Sequence, residues 1–190
     1  MGQDRPVHFA VMVGSLRKGS FNAAIARALP TLAPEGVTIA PLPSVGEFPL
    51  YNYDVQLEGF PPVVTRTAEA IRKADGIIIV TPENNHSIPG VLKNAIDVAS
   101  RPYGQSVFNG KPGGVISNSP GAIGGFGANH HIRQSLAFLN VPVLQQPEAY
   151  VGGIGDAFDA NGELIKDSLK QFATGYINAF AAWVDLVLKK

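Results

Sequence analysis

Short apolar runs alternate with amphipathic stretches along the chain, and this alternation limits the possible folds more than any other feature of the sequence. The clearest run, Gly76 to Thr81 (GIIIVT), is unbroken and β-branched, as a strand buried on both faces must be. It reads as the centre of a sheet. His8 to Gly14 (HFAVMVG) reads as the first strand, Val37 to Leu42 as a weaker second and Pro112 to Asn118 as the fourth. Val141 to Tyr150 reads as the fifth, but Pro142 and Pro147 remove ladder donors and make it short or an edge. Helical stretches lie between. They are Asn22 to Leu32, with Ser20 or Asn22 as N-cap; Pro61 to Ala74; Pro89 to Ser100, where Val91, Leu92, Ala95, Ile96 and Ala99 share a face; and Gly127 to Leu139. A last helix carries Leu169, Phe172, Tyr176, Phe180, Trp183 and Val187 at helical spacing, with Asp167 and Lys189-Lys190 matching the dipole at its two ends.

Repeated βα units build a parallel sheet with helices on both faces, and right-handed crossovers leave few topologies for five of them. The expected fold is a flavodoxin-like three-layer α/β/α domain spanning residues 1–190, with a five-stranded parallel sheet in the order 2-1-3-4-5. With 190 residues, 45% of them hydrophobic, the chain can bury a full core without disulfides or metals. Only residues 43–60 form a long stretch without periodicity, and their Tyr51 and Tyr53 are candidates to cover a ligand.

Fifteen basic residues balance fifteen acidic ones, so no global field exists to hold a nucleic acid or an anionic membrane surface. The absence of cysteine excludes Fe–S clusters, thiolate zinc sites and cysteine nucleophiles. No apolar run reaches the roughly 18 residues of a membrane span, and the one near the start follows Arg5-Pro6 without a basic leader. The expectation is a soluble, cytoplasmic protein.

In doubly wound sheets, ligands bind beyond the carboxyl ends of the strands, where the strand order reverses. The most unusual loops fall there: GSLRKGSFN (Gly14 to Asn22), TPENNHSIPG (Thr81 to Gly90) and SNSPGAIGGFG (Ser117 to Gly127). The first offers Ser15, Arg17, Ser20 and Asn22, then Phe21 at the opening of a helix. Free helix N–H groups and a guanidinium make this a phosphate cradle. It lacks the P-loop pattern and the G-x-G-x-x-G of dinucleotide sites, and no acid follows the second strand to hold a ribose, so a mononucleotide phosphate fits best. The second loop sets Glu83, Asn84, Asn85, His86 and Ser87 between Pro82 and Pro89, where amides can read the edge of a flat polar ring. The third presents Ser117, Asn118 and Ser119 with glycines that include Gly121 and Gly124, allowing close backbone approach.

These segments, together with VLKNAID and SPGAIGGFGANHHIRQSL, resemble the NAD(P)H-dependent FMN reductases, in particular the bacterial quinone and chromate reductases, over essentially the whole chain. The resemblance implies non-covalent FMN and a homodimer or homotetramer with the flavin near a subunit interface. It also implies electron transfer in two half-reactions from NAD(P)H to quinones, other flavins, azo compounds or chromate. By matching positions, Ser15, Arg17, Ser20 and Asn22 would bind phosphate and Pro82, Glu83, Asn84 and Asn85 would border the ring. Ser117 and the glycines after Pro120 would complete the site. The chain departs from the family at Asn84, where an aromatic residue is usual, and at His86, Gly127 and His130.

The flavin would carry the redox chemistry, so no acid or base is assigned, although N–H groups of Asn84 to Ser87 are candidates to stabilise a reduced ring. His130 and His131, adjacent on a helix, point about 100° apart and read as surface or interface residues, not metal ligands. Lys93 and Asp97 read as a helix-surface pair. The alternative function is a non-enzymatic flavin-binding electron carrier or redox-sensing module. A receiver domain would need carboxylates where Gly14-Ser15 and Thr81-Pro82 stand, and a phosphatase of this topology would need a cysteine.

Overall fold

The burial that GIIIVT demands is found in full. In the computed structural model, which describes residues 5–188, that segment is the central strand of a five-stranded parallel sheet ordered β2-β1-β3-β4-β5. The strands are β1 (Val7–Val13), β2 (Val37–Pro41), β3 (Gly76–Thr81), β4 (Gly113–Asn118) and β5 (Ala149–Val151). Every residue of β3 and β4 is buried, whereas β2 at the edge buries only Ile39.

The helices are α1 (Phe21–Ala28), α2 (Tyr53–Glu58), α3 (Pro62–Lys73), α4 (Gly90–Ala99), α5 (Phe126–Phe138) and α6 (Asp167–Leu188). Buried side chains of α3, α4 and α5 form one core with Met12, Ile77, Ile79 and Val115. Those of α1 and α6 form a second with Phe9, Val11, Ile78 and Val80, in which the Phe9 and Phe180 rings meet edge to face at 4.8 Å. Odd and even residues of the same strands thus supply opposite cores, as the two-residue period of a strand requires.

Three details differ from the expectation. The helix expected to run to Leu32 is α-helical only to Ala28 and ends as a 3-10 turn, Leu29–Leu32, because Pro30 has no N–H for the α-helical bond. The fifth strand is reduced to Ala149–Val151, with one isolated bridge between Val143 and Gly113, since the prolines interrupt the ladder. Residues 43–60 are not a plain loop: they hold a 3-10 turn, Val45–Glu47, and α2, which buries none of its residues and so leaves no apolar period in the sequence. Lys189 and Lys190 lie outside the described residues.

Candidate active site

The first loop ends where Ser20 caps α1, its hydroxyl accepting the Ala23 N–H at 3.3 Å. The amides of Phe21 and Asn22, in the first turn, have no acceptor among the described residues, so the positive end of α1 stands open. Ser15 accepts the Arg17 N–H at 3.4 Å and folds the loop back on itself. Arg17 is exposed, and the contact of its guanidinium is the face of Phe21, 5.1 Å from the ring centroid. Asn22 does not face this opening. Its side chain is buried and its Oδ1 accepts a bond from Asn118 Nδ2 at the end of β4, so it ties the first loop to the third.

The second loop is a closed two-residue turn. The Asn84 N–H donates to the Ser87 carbonyl at 3.0 Å and the Ser87 N–H returns a bond to the Asn84 carbonyl at 2.9 Å. Asn85 and His86 between them have φ of 50° and 59°, the left-handed pair of a type I′ turn. Two of the four N–H groups expected to point at a ligand are therefore spent within the turn, which leaves those of Asn85 and His86 at its tip. Glu83 faces α5, not open space. One carboxylate oxygen accepts the Ala128 N–H at 2.9 Å and the other lies 3.3 Å from His86 Nδ1. α5 has Gly125 at its N-cap and no side-chain cap of its own, so Glu83 supplies the missing acceptor. Ser87 adds a second tie, its hydroxyl 2.8 Å from His131 Nδ1. Pro82 is half-buried at the root of the turn, and Asn84 is exposed.

The third loop packs on β5. A Cβ on Gly124 would lie 2.6 Å from the Tyr150 carbonyl carbon, and Gly121 accepts the Gly153 N–H at 3.2 Å. Gly124 thus allows the loop to lie against protein backbone. Ser117 is turned away from the opening as well. It is fully buried, donates to the Ala149 carbonyl at 3.3 Å and accepts Asn129 Nδ2 at 3.2 Å. Asn129, which the sequence reading did not single out, also donates to the Val115 and Ala149 carbonyls, and it accepts Arg133 Nε at 2.9 Å. A polar residue on the stripe of Ala128, Ile132 and Leu136 was the available signal.

The same holds for Asn94 on α4, which accepts the Tyr51 N–H and donates to the Pro49 carbonyl, each at 2.8 Å. It pins the segment after β2 to α4, with the Tyr51 ring over Arg101 at 5.2 Å and Tyr53 exposed. The Lys93–Asp97 pair forms at 2.7 Å. His130 and His131 turn to different partners, Tyr150 and Ser87. Partial burial and the neighbouring Glu148 push the Tyr150 phenol up to about 12. Among the described residues no group of three or more His, Asp or Glu is placed to hold a metal ion, and no helix is long and apolar enough to cross a membrane.

Gly127 lies against the turn after β3, and a Cβ there would stand 2.6 Å from the His86 carbonyl oxygen. His130 lies against Phe126, one turn back on the same helix, with ring centroids 4.2 Å apart and planes tilted by 44°.

Residues 7–156 match the sequence profile of the NADPH-dependent FMN reductases. A quinone reductase of Pseudomonas putida is 54% identical over 177 residues, covering 93% of this chain and 94% of the relative. A 2-hydroxy-1,4-benzoquinone reductase of Burkholderia sp. is 45% identical over 175 residues, 92% of this chain and 94% of the relative. Among solved structures, the flavoenzyme NAD(P)H:(acceptor) oxidoreductase FerB from Paracoccus denitrificans superposes with a TM-score of 0.86 at 37% identity, covering 94% of this chain and 97% of that one. With the matched profile spanning all five strands and the three loops, the chain belongs to the NADPH-dependent FMN reductase family.

Proposed function

We propose that this protein is an FMN-dependent NAD(P)H oxidoreductase whose acceptors are small quinones, with other flavins, azo compounds and chromate as further candidates. The observation that carries the reading is the open N-terminus of α1 beside an exposed, carboxylate-free Arg17, at the carboxyl end of β1. That donor set suits a phosphomonoester: two backbone N–H groups on a positive helix end, the Ser15 hydroxyl and a planar guanidinium. Phe21 and Asn22 contribute backbone N–H groups in this reading, and Ser20 holds the helix start in place. The relatives named for quinone reduction and for NAD(P)H:acceptor oxidoreduction support the choice of substrates.

FMN, when bound, supplies the redox chemistry, taking electrons from NAD(P)H and giving them to the acceptor. The protein's own residues bind and orient. The tip amides of Asn85 and His86 are the donors available to the polar edge of a ring. Glu83 and Ser87 hold that tip fixed through α5, so the donors need no reorganisation when charge develops near them. Asn84, exposed and without an aromatic ring, leaves room for a broad acceptor. One open edge would serve donor and acceptor in turn, which is ping-pong kinetics in a single domain that acts as a homo-oligomer.

Steady-state oxidation of NADH and NADPH by the FMN-loaded protein, with a panel of quinones, tests this. The expected result is turnover with parallel double-reciprocal lines. A protein that binds FMN but oxidises neither nucleotide would be a carrier or sensor instead.

A further inference from the structure

The hairpin after β5 lies outside the three loops, yet it reaches the phosphate end of the site. Phe158 and Leu164 form an antiparallel bridge, the Asp159 N–H donates to the Glu163 carbonyl at 3.0 Å, and the Ile165 N–H donates to Ala157 at 2.9 Å. Asp159 closes the turn with its carboxylate, accepting the N–H groups of Asn161 at 2.9 Å and Glu163 at 2.8 Å. Ala157 at the base is fully buried. The backbone that carries Phe158 is therefore fixed on both sides.

The Phe158 ring lies against Phe21, with centroids 6.2 Å apart and planes 19° from parallel. Phe21 in turn carries the Arg17 guanidinium at 5.1 Å. Among the described residues, the contacts that restrain Arg17 are this ring and its own backbone bond to Ser15. A free arginine loses rotamer freedom when it grips an anion, and a fixed aromatic platform removes part of that cost beforehand. Phe21 is such a platform only while its own ring is held.

Resting on the phosphate-cradle reading above, we infer that Phe158 is a positioning residue for that cradle: through Phe21 it fixes Arg17, and so sets the preference for FMN over riboflavin. Phe158 itself touches no part of the cofactor in this account. Loss of the ring should therefore be felt by the phosphorylated flavin alone.

The test is flavin-fluorescence titration of the full chain with FMN and with riboflavin, for the parent, Arg17→Ala, Phe158→Ala, Phe158→Tyr and the Arg17→Ala/Phe158→Ala pair. Phe158→Ala should weaken FMN about two- to five-fold, the range of an exposed cation–π contact, and leave riboflavin unchanged. Phe158→Tyr should keep the parent affinity, and the pair should bind FMN no more weakly than Arg17→Ala alone. Equal losses for both flavins would reduce Phe158 to a structural role, and additive losses in the pair would separate it from Arg17; either overturns the inference. If Phe158→Ala does not fold, Phe158→Leu, which keeps bulk but loses stacking, carries the same expectation. An Arg17→Ala variant with an unchanged FMN-to-riboflavin ratio would remove the cradle itself, whereas a changed ratio there with none in the Phe158 variants would overturn only this proposal.

Discussion

Replacing Gly127 by alanine is expected to open the joint between the β3–α4 turn and α5. The added Cβ would stand 2.6 Å from the His86 carbonyl oxygen, 3.0 Å from Glu83 Oε2 and 3.2 Å from the His86 carbonyl carbon. Two of these are backbone atoms held by the paired hydrogen bonds of a type I′ turn, so they cannot swing aside. Either the turn or the first turn of α5 must retreat, by about 0.5–1 Å to restore an ordinary contact. That movement stretches the 2.9 Å bond from Ala128 N–H to Glu83. Overpacking costs about 1–3 kcal/mol, and weakening a bond to a charged group about 1.5–3 kcal/mol. The better helix propensity of alanine offsets about 1 kcal/mol. The net loss is about 1.5–5 kcal/mol, which for a chain of this size is a Tm lower by about 3–20 °C. Thermal melts by circular dichroism, with and without FMN, read this directly. Glu83→Gln alone should cost less, and because both changes act on one joint, their combination should lose less than the sum. A Gly127→Ala protein that melts within about 1 °C of the parent and keeps its FMN affinity would refute the idea that this joint holds the turn.

Other outcomes follow from single contacts. Burial works against the Asp75 carboxylate, but Arg5 at 2.7 and 2.9 Å, the His8 N–H and nearby Lys111 outweigh it and hold its carboxyl below the usual range. A depressed folded value gives stability that is complete above about pH 4 and lost as the pH falls through the folded value, so Asp75→Asn should lower Tm at neutral pH and narrow its fall in acid. Ser20→Ala should cost about 1 kcal/mol through the lost cap of α1, read as a small drop in Tm in the apo protein and a larger one with FMN present. Asn84→Tyr should slow turnover of bulky quinones more than of small ones and reduce FMN dissociation; unchanged values together with a shifted oligomeric balance would move Asn84 to the assembly surface.

The sequence was most legible where burial leaves no choice. β3 runs from Gly76 to Thr81 as expected, since a segment with both faces buried must be apolar throughout. α2 was missed because nothing in it is buried, and only Asn52, which accepts the Asp54 N–H at 2.8 Å, marks its start. The meeting of the first and third loops was also legible, because the strand order alone brings them to one edge. What individual side chains do there was not. Asn22 and Ser117 are polar residues in the right loops, but their directions are set by Asn118 and Asn129. Glu83 was expected beside a ring and caps a helix, since the uncapped N-terminus that draws it begins at Phe126, far along the chain.

The central claim is that electrons pass through this chain in two separable steps. The most direct measurement is anaerobic mixing of the FMN-loaded protein with one equivalent of NAD(P)H, followed by removal of the nucleotide and addition of a quinone, while the flavin absorption band is recorded. The account predicts that the band bleaches in the first step and returns in the second. A band that NAD(P)H leaves unchanged, or one that bleaches only when nucleotide and quinone are present together, would contradict it.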